Sequence, residues 1–159
     1  MSLVIDTSVY IDRYSKDPTR KNFAKKLFDL AEELIIYEPR IFIIKLLCVL
    51  SRKTTYFKSI INKIEEKINI VNEEELFDTA KQLAPLVHGR AIDLYFIATT
   101  KLTNSILITC DKLQANNAKK AKIQAYYLIK EIQQNHKQNK TTNKTQLTIH
   151  QIQNLNNTL

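Results

Sequence analysis

Short runs of β-branched and aliphatic residues recur along this chain, each followed by a longer stretch with helical periodicity. That alternation is the strongest constraint on what the chain can fold into. SLVID (2–6), LIIY (34–37), INIV (68–71) and SILIT (105–109) read as strands, and IQAYYL (123–128) as a fifth strand or a strand leading into a helix. Between them, Phe23, Leu27, Leu30 and Ala31 share one face of residues 20–33, and Phe57, Ile60, Ile61 and Ile64 share one face of residues 54–67. Pro39 suits the first turn of a helix over 40–52. NEEE (72–75) reads as an N-cap with acids in the first turn of a helix running to about Leu86. Residues 91–103 and 111–120 are also helical by pattern, and His88-Gly89-Arg90, with the chain's only glycine, breaks the run before them. The alternation predicts an α/β sandwich with a mainly parallel sheet, whose functional groups lie beyond the carboxyl ends of the strands.

The 159 residues suit one domain. Its expected extent is 1–134, and residues 135–159 have a different character. Ten of those 25 residues are Asn or Gln, none is acidic or aromatic, and three are lysines. This predicts a polar, basic and mobile tail, within which Ile152, Leu155 and Leu159 share the face of a short helix. The net charge of +8 divides into about +5 for the body and +3 for the tail, a balance that favours anionic partners such as nucleic acid. No apolar run approaches the ~20 residues needed to cross a bilayer. The opening MSLVIDTSV places an acid at position 6 with no basic region before it, so no signal peptide and a cytoplasmic location are expected. Cys48 and Cys110 read as small buried hydrophobes, unpaired, and no Cys/His spacing suggests zinc.

Three acids stand where an α/β sheet places function. Asp6 ends the first strand, Asp111 follows the fourth, and Asp93 opens the helix 91–103 among apolar neighbours. Each alone is explained by capping of the helix it precedes or begins. Together they form a candidate site, because carboxylates among apolar residues need a partner or a cation. Oxygen ligands of this kind suit Mg²⁺ or Mn²⁺, which can activate water and stabilise charge on a phosphodiester.

At VIDTSVYID, AIDLYFIATT and ILITCDKL the chain resembles the PIN-domain nucleases, which include the VapC-type toxins of toxin–antitoxin pairs. The three segments fall in the right order over roughly residues 1–130. The resemblance implies a three-layer α/β/α sandwich with a mainly parallel, about five-stranded sheet. It also implies endoribonuclease activity with Mg²⁺ or Mn²⁺, an RNA substrate, an antitoxin partner and a homodimer. Asp6, Asp93 and Asp111 would be the catalytic and metal-site acids. Thr7 and Ser8 would shape the turn presenting Asp6, and Ser8, Lys45 and Arg90 are the candidate substrate contacts.

The sequence departs from that family in IFIIKLLCVL (41–50). The family's helix after the second strand carries a glutamate some six residues after a proline, and here PRIFIIKL puts Lys45 in that place. Three readings are open. Lys45 snorkels to water from the rim, or it pairs with Asp6 and Asp93 and leaves a binding protein without catalysis, or it stabilises transition-state charge or a phosphate beside a metal held by three aspartates. Glu38 is expected in the loop before the helix, and Asp12 at the surface in preference to the site rim, so neither is expected to replace the missing acid. Lys112, Lys119, Lys120 and Lys122 are candidate RNA-backbone contacts, or a solvated helix face. Tyr10 and Tyr14 are candidates for base stacking or for a dimer interface.

Overall fold

In the computed structural model, residues 1–129 are described. They form β1 (Ser2–Ile5), α1 (Thr7–Asp12), α2 (Pro18–Leu30), β2 (Ile35–Pro39), α3 (Ile41–Leu50) and α4 (Phe57–Glu65). There follow β3 (Asn69–Val71), α5 (Glu73–Val87), α6 (Ala91–Leu102), β4 (Ile106–Thr109), α7 (Lys112–Lys120) and β5 (Ala125–Tyr127). The five strands make one sheet in the order β3-β2-β1-β4-β5, and every pairing is parallel. The domain boundary expected at residue 134, and the helical face at Ile152, Leu155 and Leu159, lie outside the described residues.

The strand order follows from burial. Parallel strands covered by helices on both faces must be apolar throughout rather than alternating. Leu3, Val4 and Ile5 of β1 and Leu107 and Ile108 of β4 are almost completely buried, and these two strands sit at the centre of the sheet. β2 and β3 carry exposed residues and lie toward one edge. The core joins this sheet to Leu27 of α2, Phe42, Leu46 and Leu50 of α3, Leu76 and Leu83 of α5 and Phe96 and Ile97 of α6. Among the described residues no helix is long and apolar enough to cross a membrane.

One local feature differs from expectation. Pro39 ends β2 instead of opening a helix, and α3 begins after Arg40, whose N–H donates to Val71 O of β3 at 2.9 Å. A proline at the end of a strand lacks the donor that this position does not use. At the α5–α6 junction, where His88-Gly89-Arg90 breaks the helical pattern as read from the sequence, the left-handed residue is His88 (φ 49°). Gly89 lies close to α7: a Cβ there would stand 3.1 Å from Asn117 Nδ2, so the Asn117 side chain would have to give by a few tenths of an ångström.

Candidate active site

The carboxyl ends of β1 and β4 are joined by one hydroxyl. Asp6 follows β1, remains tied to the sheet through its N–H to Ile108 O (2.9 Å), and caps α1. Its Oδ2 accepts from Ser8 N at 3.0 Å and Ser8 Oγ at 2.5 Å. Ser8 Oγ in turn accepts the N–H of Cys110, just past β4, at 3.1 Å. Ser8 therefore does what its place in the turn suggests, and it also fixes β4 relative to the acid. Asp6 itself is only 2% exposed, so its charge needs a compensating cation.

Lys45 supplies it. On α3, Phe42 and Leu46 are one turn apart and wholly buried, and Phe42 meets Phe96 of α6 edge-on at 6.5 Å between ring centres. Lys45 is three residues beyond Phe42, so its stem follows the same seam. On α6, Asp93 and Phe96 are also three apart and face that stem together. The ammonium donates to Asp6 Oδ1 at 2.7 Å and to Asp93 Oδ1 at 3.2 Å, and lies 4.7 Å from the centre of the Phe96 ring. Two carboxylates and one aromatic face surround a single cation. Burial alone would lower the lysine pKa, but the attraction and hydrogen bonds of Asp6, then Asp93, outweigh it and raise it, so Lys45 stays charged. The snorkelling arrangement is not the one adopted.

The other sequence candidates are placed differently. Asp111 caps α7, accepting from Leu113 N at 2.7 Å and Gln114 N at 3.2 Å with Oδ1. Arg90 is the N-cap of α6 and is exposed. Asp6 and Asp93 are thus brought together through Lys45, whereas Asp111 enters the site only through its backbone neighbour Cys110. Among the described residues no three His, Cys, Asp or Glu side chains converge to hold a metal. A divalent cation between Asp6 and Asp93 would need the carboxylate oxygens that the ammonium already engages. With Lys45 in this position, the residues present do not fit Mg²⁺ or Mn²⁺.

Two acids behind the site were misjudged from sequence. Glu38 is not in a loop; it lies in β2 and is fully buried. Its Oε1 accepts from Ile5 N at 3.0 Å and Tyr10 OH at 3.5 Å, while Oε2 has no partner. Burial, and then the nearby charge of Asp6, push its pKa well above the ordinary 4.5. The signal was period-2 spacing: Ile36 and Glu38 point to the same inward side of one strand. Asp12 is buried rather than at the surface. Arg20 of α2 grips it with Nε (3.0 Å) and Nη2 (2.8 Å), and Cys110 Sγ donates to it at 3.2 Å. Burial, then Asp12, raise the Cys110 thiol pKa, so it stays protonated. No short-range sequence rule links residues 12, 20 and 110. Cys48, expected inside, is exposed, and both cysteines are free. Tyr10 is buried between Phe28 and Phe42, which removes it as a stacking platform, while Tyr14 is 44% exposed.

These placements carry two testable consequences. Arg20→Met leaves the buried Asp12 carboxylate without its cation and is expected to cost about 2 kcal/mol in urea unfolding, the partial exposure of Arg20 holding the loss below that of a fully buried pair. Glu38→Gln tests a pH dependence of unusual sign. A carboxyl whose folded pKa is raised contributes stability below the unfolded value of 4.5 that is lost as pH rises toward the folded pKa. The native protein should therefore lose stability relative to Glu38→Gln between about pH 4.5 and pH 7. A constant difference between the two across that window would show that Glu38 is ionised inside the fold.

The PIN-domain family model matches residues 3–120. The chain belongs to the PIN-domain family. No curated protein matches its sequence. Among solved structures, this PIN domain is similar to VapBC-1 from nontypeable Haemophilus influenzae, with a TM-score of 0.60 and 19% identity over 81% of this chain and 99% of that one. FitAcB from Neisseria gonorrhoeae gives a TM-score of 0.59 and 16% identity over 80% and 98%. VapC20 from Mycobacterium tuberculosis, a sarcin–ricin loop cleaving toxin, gives 0.57 and 12% over 72% and 94%. At these identities the likeness establishes the fold of the PIN domain, which agrees with the sandwich and sheet described above.

Proposed function

We propose that this PIN domain is a binding module that holds RNA without cutting it, its acidic site closed by Lys45. The observation that carries this reading is the ammonium set between Asp6 and Asp93 at 2.7 and 3.2 Å. A lysine there balances the carboxylates as a cation would, but it offers no open coordination position at which water could be activated. The alternative is a metal-dependent endoribonuclease using Asp6, Asp93 and Asp111. It requires Lys45 to leave both carboxylates and Asp111 to turn from its helix cap toward them.

Support for RNA comes from charge. The net +8 is accompanied by exposed Arg90 and Lys112 just beyond the carboxyl ends of the strands, and by exposed Lys119 and Lys120 at the far end of α7 and Lys122 in the turn before β5. By its likeness to VapC-type proteins, the module is further proposed to pair with an antitoxin-type protein and to form a homodimer. Fluorescence anisotropy with a labelled single-stranded RNA in EDTA tests the reading. Binding should persist without divalent metal and weaken steeply between about 50 and 200 mM salt, with a log–log slope of roughly −0.7 per phosphate contact. Arg90→Ala and Lys112→Ala should each make that slope shallower. Absence of binding at the low-salt end would remove RNA as the ligand and leave the protein partner.

A further inference from the structure

The seam between β1 and β2 is held by a side chain at its carboxyl end. Backbone pairing covers Ser2↔Ile35 and Leu3↔Ile36 and stops there. Beyond that point each strand stays with its other neighbour. β1 pairs with β4 as far as Ile5↔Ile108, and β2 with β3 through Glu38↔Ile70 and Pro39↔Val71. A parallel ladder would carry the Ile5 N–H to a backbone carbonyl of β2. It goes instead to Oε1 of the Glu38 side chain at 3.0 Å. Glu38 is 0% exposed, and the same oxygen accepts from Tyr10 OH at 3.5 Å.

We propose that Glu38 is a positioning residue for the Asp6–Lys45 pair, its carboxyl group fixing the spacing between the two parts of the sheet from which the partners come. The inference rests on the reading of Lys45 as the cation that closes the site. Asp6 directly follows Ile5 and keeps its own N–H on Ile108 O, so its backbone moves with β1 and β4. Lys45 belongs to the other part. Its helix, α3, leaves the end of β2 after Arg40, whose N–H is on Val71 O of β3. Glu38 Oε1 meets both parts. It takes the N–H of the residue before Asp6. It also takes the hydroxyl of Tyr10, whose ring packs on Phe42 at 4.8 Å, three residues before Lys45 on α3. The 2.7 Å bond from the ammonium to Asp6 tolerates little error in that spacing, because hydrogen bonds weaken as they lengthen and bend. A fully buried carboxyl whose Oε2 has no partner is destabilising by itself, and the bridging role accounts for its presence.

The experiment follows the full chain by NMR. In the native protein a scalar coupling across the hydrogen bond, from the Ile5 nitrogen to the Glu38 carboxyl carbon, is expected beside the one from Asp6 to the Ile108 carbonyl. Its absence while the Asp6 coupling is seen overturns the inference. Glu38→Leu keeps the bulk of the side chain and removes the acceptor. Exchange of the Ile5 amide should then rise roughly tenfold. The Lys45 ε-methylene signals, displaced by the Phe96 ring beside the ammonium, should move toward those of the other lysines. Glu38→Gln retains a side-chain carbonyl and should preserve both. A folded Glu38→Leu with native Lys45 signals overturns the inference, as does Glu38→Gln behaving like Glu38→Leu. Should Glu38→Leu not fold, the native coupling and the Glu38→Gln signals decide. Undisplaced Lys45 signals in the native protein would defeat the closed-site reading and this inference with it, whereas failure to bind RNA would defeat only the RNA-binding reading.

Discussion

Lys45→Met is expected to lower the stability of the domain by about 3 kcal/mol, the near end of the range for breaking a buried ion pair because Lys45 is partly solvated. The methionine keeps the packing against Phe96, so the loss isolates the charge. Asp6, 2% exposed and hydrogen-bonded to Ser8 in the native protein, would face Asp93 with no cation between them. Like charges in a dry site repel, and one carboxylate then protonates or the site opens. The control is informative in the opposite direction. Millimolar Mn²⁺ should recover part of the lost stability in Lys45→Met, since two carboxylates without a cation form an oxygen-ligand site, and should leave the native protein unchanged. Urea unfolding at matched m-values reads both effects. Equal stability of the native protein and Lys45→Met would mean that the ammonium contributes nothing to the site it bridges.

Lys45→Glu is expected to have a larger and conditional effect. Three carboxylates would then crowd the ends of β1, α3 and α6, making the variant less stable than Lys45→Met in EDTA. Divalent metal should reverse that order, and titration calorimetry should detect Mn²⁺ binding that the native chain lacks. By the family resemblance, the variant should also acquire metal-dependent cleavage of single-stranded RNA. Binding of Mn²⁺ without cleavage would place the defect beyond position 45, with Asp111 the first residue to examine, since its carboxylate caps α7.

Much of this was legible in the sequence because local patterns and tertiary packing agree. Apolar β-branched runs became the buried strands β1 and β4, and the helical spacing at Phe57, Ile60, Ile61 and Ile64 became α4. Lys45 was conspicuous because a charge inside an apolar helix needs a partner, and the two partners foreseen, Asp6 and Asp93, are the ones it meets. What the sequence hid depends on distant elements. Glu38 was masked by Pro39, whose helix-starting preference argued for a loop, although β3 pairs with β2 through both residues. Asp12 was taken for a surface acid because its partners, Arg20 and Cys110, come from α2 and from beyond β4. Cys48 was misplaced by composition: α3 is apolar nearly all round, yet only the face carrying Phe42, Leu46 and Leu50 is fully covered.

As proposed above, Lys45 is the resident cation of a PIN site that binds RNA without cutting it. The most direct test is incubation of a mixed single-stranded RNA pool with the native protein and with Asp6→Asn, both shown to be folded, in Mg²⁺ or Mn²⁺. Intact RNA is expected from both proteins, together with binding by the native one. Metal-dependent cutting by the native protein that disappears in Asp6→Asn would contradict it, and would mean that the aspartates work as a metal site despite the lysine between them.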